Sequence, residues 1–219
     1  MVYSPLQACG IINDHGCDCP RYAVVNAEPS SVNCVFVAAE TRKYDIMHDS
    51  KDLQGRVQET KMTDRLFNPD YRDMIECLLR EGVDFMLVGG YAVALHGWPR
   101  TTFDIDFWIM ANPENAKAVM RAIKAFGAPL MGLTEADFHR PGMVFQIGNE
   151  PQRIDIISAV DGLDYADASL RAVKMTVDGL EIKVLSLDDL IVNKRVSGRP
   201  KDIADALALE KLKARTKNG

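Results

Sequence analysis

No apolar run in the 219 residues approaches the ~20 that a membrane-crossing helix needs. A membrane-spanning helix is therefore not expected. The opening residues, MVYSPLQACGIIND, do not show a basic start, an apolar block and a small-residue cleavage site in succession, so the expected location is the cytoplasm. A basic excess is missing as well. The formal net charge is -5, which argues against a dominant nonspecific nucleic-acid surface, and the basic residues of KLKARTKNG read as a solvated tail over 214–219. Histidine is scarce: His15, His48, His96 and His139 are scattered, without the clusters common in metal-dependent phosphohydrolases. Cys9, Cys17, Cys19 and Cys34 lie in the first 34 residues, but the C-x-C spacing is not the C-x-x-C knuckle of zinc ribbons. Cys77 falls in a helical pattern and reads as a small core residue. Internal repeats and low-complexity tracts are absent.

What remains is an ordinary globular composition, 47% hydrophobic and 26% charged. Residues 1–61 mix Cys, Pro, Asn and His with short apolar pieces such as YAVV and CVFVAA, and no period persists. They are expected to be a poorly ordered or non-native extension, with Met62, or less favourably Met47, as the natural start. Over 62–213 the text reads as one domain. Asn68 as cap, Pro69 at the first helical position and Tyr71, Met74, Ile75, Leu78 and Leu79 at helical spacing predict a helix ending before Gly82. VDFMLVG predicts a buried strand, YAVALHG two turns of helix, and FDIDFWIM a second strand. PENAKAVMRAIKAFG predicts an amphipathic helix, and MVFQIG and RIDIIS two more strands. KMTVDGLEIKVLS alternates on both sides of Asp178-Gly179 and predicts a hairpin. Two helices close the chain, one capped by Ser186 and running to about Val196, the other from Pro200 to about Leu212. The fold class is α/β (α+β): a mixed β-sheet flanked by helices.

The strand FDIDFWIM raises a chemical question, because Asp104 and Asp106 stand inside an apolar segment. At spacing i, i+2 they share one strand face, about 6–7 Å apart at the backbone. Two carboxylates that close repel unless a cation compensates, and hard divalent ions take oxygen ligands while keeping positions open for phosphate. Gly89-Gly90 ends a strand and opens a helix, where backbone N–H groups can meet an anion. A tight turn alone would also need them. Arg100, Thr101 and Thr102 offer a charge and two hydroxyls next to the aspartates.

Together, LVGGYAVALHGWPRTTFDIDFWI, RIDIIS and LSLDDLIVNKRVSGRPKDIADALALE resemble the polymerase-β-like nucleotidyltransferase superfamily, and within it the small bacterial proteins related to the AbiEii type. The resemblance spans Met62 to about Lys211. It implies a nucleotidyltransferase fold and transfer of an NMP group from an NTP to an acceptor hydroxyl on RNA, protein or a small molecule, with release of pyrophosphate. Mg²⁺, or Mn²⁺ in its place, would be held by Asp104, Asp106 and Asp155, and Asp155 would help deprotonate the acceptor. Gly89, Gly90, Arg100, Thr101, Thr102, Lys194, Lys201 and Asp202 would face the nucleotide and its phosphates. Family members often carry glycine-serine where this chain has Gly90 second, so one hydroxyl is missing. The type also implies a cognate toxin or antitoxin partner, and the competing reading is a regulatory member of such a pair without turnover. Structural alternatives stand beside these roles: Arg153 shares the strand face of Asp155 and can pair with it, Lys194 can be a solvated helix charge, and Asp202 can pair with Lys201.

Overall fold

The computed structural model describes residues 24–25, 35–38, 66–149 and 152–217. Its first long element is α1 (Pro69–Arg80), set where the sequence places it: Asn68 Oδ1 accepts from the Tyr71 amide at 2.8 Å and Pro69 occupies the first turn. Strand β3 (Phe85–Val88) runs directly into helix α2 (Gly89–Leu95), and β4 (Asp104–Ile109) returns beside β3. Helix α3 (Pro113–Phe126) is capped by Asn112 and closed by Gly127 in the left-handed conformation. It packs against α1, and Met74, Ile75 and Leu78 meet Val119, Ala122 and Ile123 in one buried cluster.

Strands β5 (Val144–Asn149) and β6 (Gln152–Ile157) pair antiparallel. After α4 (Tyr165–Arg171), the hairpin of β7 (Val173–Val177) and β8 (Leu180–Val184) turns on Asp178 and Gly179, both at positive φ. The Asp178 carboxylate also accepts from the amides of Leu66 and Phe67, which fixes the lead-in to α1 on the hairpin tip. Helices α5 (Leu187–Ser197) and α6 (Pro200–Lys217) pack on one another.

The strands form one mixed sheet. Two short N-terminal strands, β1 (Val24–Val25) and β2 (Val35–Ala38), join it at one edge, giving the order β1-β2-β5-β6-β4-β3-β8-β7. Strand β4 is central, antiparallel to β3 and parallel to β6. Such a strand is covered on both faces over part of its length, and the burial pattern shows it: Ile105 and Phe107 are buried on one face, Asp104 and Asp106 are only half-buried on the other, and Trp108 and Ile109 are both buried at the far end.

Two differences from the sequence reading have plain causes. Helix α4 and a 3₁₀ turn at Glu135–Phe138 are not foreseen: α4 buries only Tyr165 and Ala168, and the turn only Phe138, too few apolar positions to set up a period. Helix α6 runs to Lys217 rather than Leu212, so most of the expected basic tail continues the helix; lysine and arginine are good helix formers and suit a C-terminal turn. The expectation for residues 1–61 falls, apart from β1 and β2, outside the described residues.

Candidate active site

The cleft begins with strand register. Asp106 on β4 lies directly opposite Asp155 on β6, and Asp104 lies opposite Arg153. Neighbouring strands are about 4.8 Å apart, so the three carboxylates Asp104, Asp106 and Asp155 come from adjacent positions on one sheet face. On the other side of β6, Gln146 of β5 is the register partner of Asp155 and donates to both its oxygens at 3.3 Å. These groups line a polar cleft of about 510 Å³.

Gly89 and Gly90 form one wall. Gly89 has φ +65°, and a β-carbon there would collide with the Asp106 carboxylate. A β-carbon on Gly90 would collide with Thr102 Oγ1. The glycines are thus demanded first by the side chains of the β4 segment. Thr102 fills the space above Gly90 with a hydroxyl, in the region where the resemblance expects a serine side chain. Thr102 Oγ1 donates to the Asp104 carbonyl at 3.2 Å, and the Tyr71 hydroxyl donates to the Phe103 carbonyl, so the chain entering β4 is held from both sides.

The opposite wall comes from the C-terminal helices. Lys194 of α5 is 7% exposed and Asp202 of α6 only 1%. Lys194 Nζ donates to Asp202 Oδ1 at 2.6 Å and lies 3.8 Å from Asp205 Oδ2. Asp205 in turn pairs with Arg100. Asp202 also accepts from Ser197 Oγ at 3.0 Å and forms an ion pair with Arg199 at 3.0 Å. Two carboxylates one helical turn apart therefore brace two cations on the cleft wall.

The electrostatics are unbalanced. Burial first, then the adjacent Asp155, pushes the Asp106 carboxyl up to about 7. Asp155 is also raised by burial, even against its bonds from Arg153 and Gln146. Asp104 Oδ1 is buried without a hydrogen-bond partner among the described residues. Arg153 spans the acids: its Nε donates to Asp155 Oδ1 at 2.7 Å, and its terminal nitrogen to Asp155 Oδ2 at 3.1 Å and Asp104 Oδ2 at 3.0 Å. Among the described residues, no group of three His, Cys, Asp or Glu side chains is arranged as a metal cluster.

Most of the residues expected at the site meet here. Asp104, Asp106, Asp155, Gly89, Gly90, Arg100, Thr102, Lys194, Lys201 and Asp202 all line the cleft. Thr101 does not; it is exposed, because neighbouring residues of this extended loop point to opposite sides. Lys194 is buried rather than solvated, and Asp202 pairs with it rather than with Lys201. Gln146 was missed, although its alternate position in MVFQIG puts a polar side chain on the same sheet face as Asp155. Asp205 joins the cleft wall through Arg100, a contact across 105 residues that no local pattern announces.

A family described as nucleotidyl transferase of unknown function (DUF2204) matches residues 68–218. Among solved structures, a crystal structure of a candidate nucleotidyltransferase from Thermotoga maritima is 18% identical, covering 69% of this chain and 98% of the other, with a TM-score of 0.44. No curated protein matches the chain.

Proposed function

Because the chain belongs to this family of nucleotidyl transferases, we propose that it transfers an NMP group from an NTP to an acceptor hydroxyl, with release of pyrophosphate, and depends on Mg²⁺ or Mn²⁺. The observation that carries the reading is the register match of Asp106 with Asp155, with Asp104 two residues away on the same face. Their chemistry fits a hard divalent ion. All three supply oxygen, a buried Asp104 oxygen has no partner among the described residues, and burial and the adjacent Asp155 push the Asp106 carboxyl up to about 7. Asp104, Asp106 and Asp155 would hold the metal, which when bound supplies charge stabilisation at the transferred phosphoryl group.

The residues themselves divide the remaining work. Gly89 and Gly90 line the cleft where α2 begins, so that backbone N–H groups there would meet phosphate oxygens. Arg100, Thr102 and Lys201 face the same space and neutralise or hydrogen-bond the phosphates, with Thr101 reaching them only after rotation of its loop. Lys194, aimed by Asp202, presents a fixed positive charge to the triphosphate. Asp155 accepts the proton of the acceptor hydroxyl as its oxygen bonds to the α-phosphorus and the bond to the pyrophosphate oxygen breaks. The acceptors in this reading are RNA or protein, in the cytoplasm. The resemblance of the sequence motifs to the AbiEii type supports a cognate toxin or antitoxin partner; among the described residues no helix is long and apolar enough to cross a membrane.

The test uses the full chain, each α-labelled NTP in turn, Mg²⁺ and cell extract, with Asp104→Ala and Asp106→Ala as controls. Label entering a macromolecule with the wild type and with neither variant is the expected result. Equal labelling by both variants would overturn the assignment.

A further inference from the structure

Arg153 lies between the carboxylates of Asp104 and Asp155 and pairs with both. Its fork engages both oxygens of Asp155 and one of Asp104, so the guanidinium and the metal of the proposed function compete for the same lone pairs. The side chain is no solvated surface charge: it is only 22% exposed. Burial works against its charge, but the bond to Asp155 and the fields of Asp155, Asp104 and Asp106 outweigh that effect. Gln146 holds the far side of Asp155, so this carboxylate stays in place whichever cation it faces.

Resting on the metal-dependent reading above, we propose that Arg153 is a resident counter-cation which a divalent ion displaces, so that metal entry is an exchange of guanidinium for ion and Arg153 sets its affinity. Two cations sharing Asp155 at hydrogen-bond range repel strongly in a partly buried site. Mg²⁺ also demands its oxygens at about 2.0–2.1 Å in near-octahedral order, which leaves no room for a guanidinium on the same face of Asp155. The ion therefore gains Asp155 only when the fork opens, and the energy of that fork is subtracted from metal binding. In return, the metal-free protein avoids three uncompensated carboxylates on one sheet face.

The experiment is titration of the full chain with Mn²⁺ alone, free Mn²⁺ being read by electron paramagnetic resonance, for wild type, Arg153→Gln, Arg153→Lys and Asp106→Asn. Arg153→Gln is expected to bind Mn²⁺ about tenfold more tightly, which corresponds to about 1.4 kcal/mol. Arg153→Lys, which keeps charge but cannot fork, should fall between. A wild type that binds Mn²⁺ through Asp106 while Arg153→Gln binds equally or more weakly overturns the exchange and leaves the metal site standing. No binding by wild type and Arg153→Gln alike removes both. A second readout avoids mutation: in arginine-¹⁵N-labelled wild type, the Arg153 Nε–H resonance should shift and lose protection as Mg²⁺ saturates the protein. An unchanged resonance at saturating Mg²⁺ refutes the exchange even if the variants fail to fold.

Discussion

Gly89 and Asp106 are packed so closely that no other residue type fits between them: a β-carbon on Gly89 would fall inside the carboxylate, and the backbone there is left-handed besides. The glycine that opens α2 directly after β3 thus leaves the space that the aspartate on the neighbouring strand fills. Two penalties coincide at this point, strain at positive φ and a clash with a side chain held by a central strand.

Gly89→Ala should therefore displace Asp106 and lower nucleotidyl transfer by about 100-fold, the usual scale for misplacing a reacting group by about an ångström. Gly90→Ala should be milder, because its backbone is not left-handed and only the clash with Thr102 has to be relieved. Initial rates of labelling for the two variants test the order; equal rates for wild type and Gly89→Ala would refute it.

The crowding of acids predicts a stability cost at high pH. Burial and Asp155 raise the folded-state carboxyl of Asp106 to about 7 from an ordinary 3.8. Below about pH 4 the group is protonated whether the chain is folded or not, and it costs nothing. As pH rises toward 7 the unfolded chain ionises first, so the folded state loses ground, and above about 7 the full penalty is present. In metal-free protein at pH 8, Asp106→Asn should thus gain on the order of 1–3 kcal/mol, shrinking toward zero at pH 4. Urea denaturation at the two pH values measures this. A variant no more stable than wild type at pH 8 contradicts it.

Legibility followed the range of the interactions. Asn68, Pro69, Ser186 and the Asp178-Gly179 turn act within a few residues, and the elements they bound are where the sequence places them. The mixed α/β sheet follows from those elements. The shared face of Asp104 and Asp106 follows from strand geometry alone, but the alignment of Asp106 with Asp155 required the parallel pairing of β4 with β6, which no local pattern specifies. The Lys194–Asp202 pair was hidden for a related reason. Each reads locally as an exposed helix charge, and only the packing of α5 on α6 buries them together.

Asn115 shows how the central strands are tied to the helical layer. Its side chain accepts from the Asp84 amide at 2.8 Å and donates to the carbonyls of Asp84 and Met110 at 2.9 and 2.8 Å, which pins the start of α3 to the ends of β3 and β4. Asn115→Ala would strand these backbone groups in a buried place. The expected loss is about 2–3 kcal/mol, a fall in melting temperature of about 5–10 °C for a domain of this size. Calorimetry with an unchanged melting temperature would show that water replaces the amide at no cost.

The Lys194–Asp202 pair allows stability and function to be separated. Burial pushes the Asp202 carboxyl up, but the Lys194 bond, aided by Ser197 and Arg199, holds it below the ordinary carboxylate range. The pair therefore contributes fully above about pH 4 and its contribution is lost as acid protonates Asp202. Removing one partner leaves a buried charge unmatched, so Asp202→Ala should cost about 3–5 kcal/mol at pH 7, whereas Lys194→Met combined with Asp202→Leu should recover most of it. If Lys194 serves only the fold, the recovered double variant will transfer nucleotide normally. The expected result is the opposite: stability returns, while the KM for NTP stays raised by about tenfold or more because the charge facing the triphosphate is gone. A double variant with wild-type kinetics would confine Lys194 to a structural role.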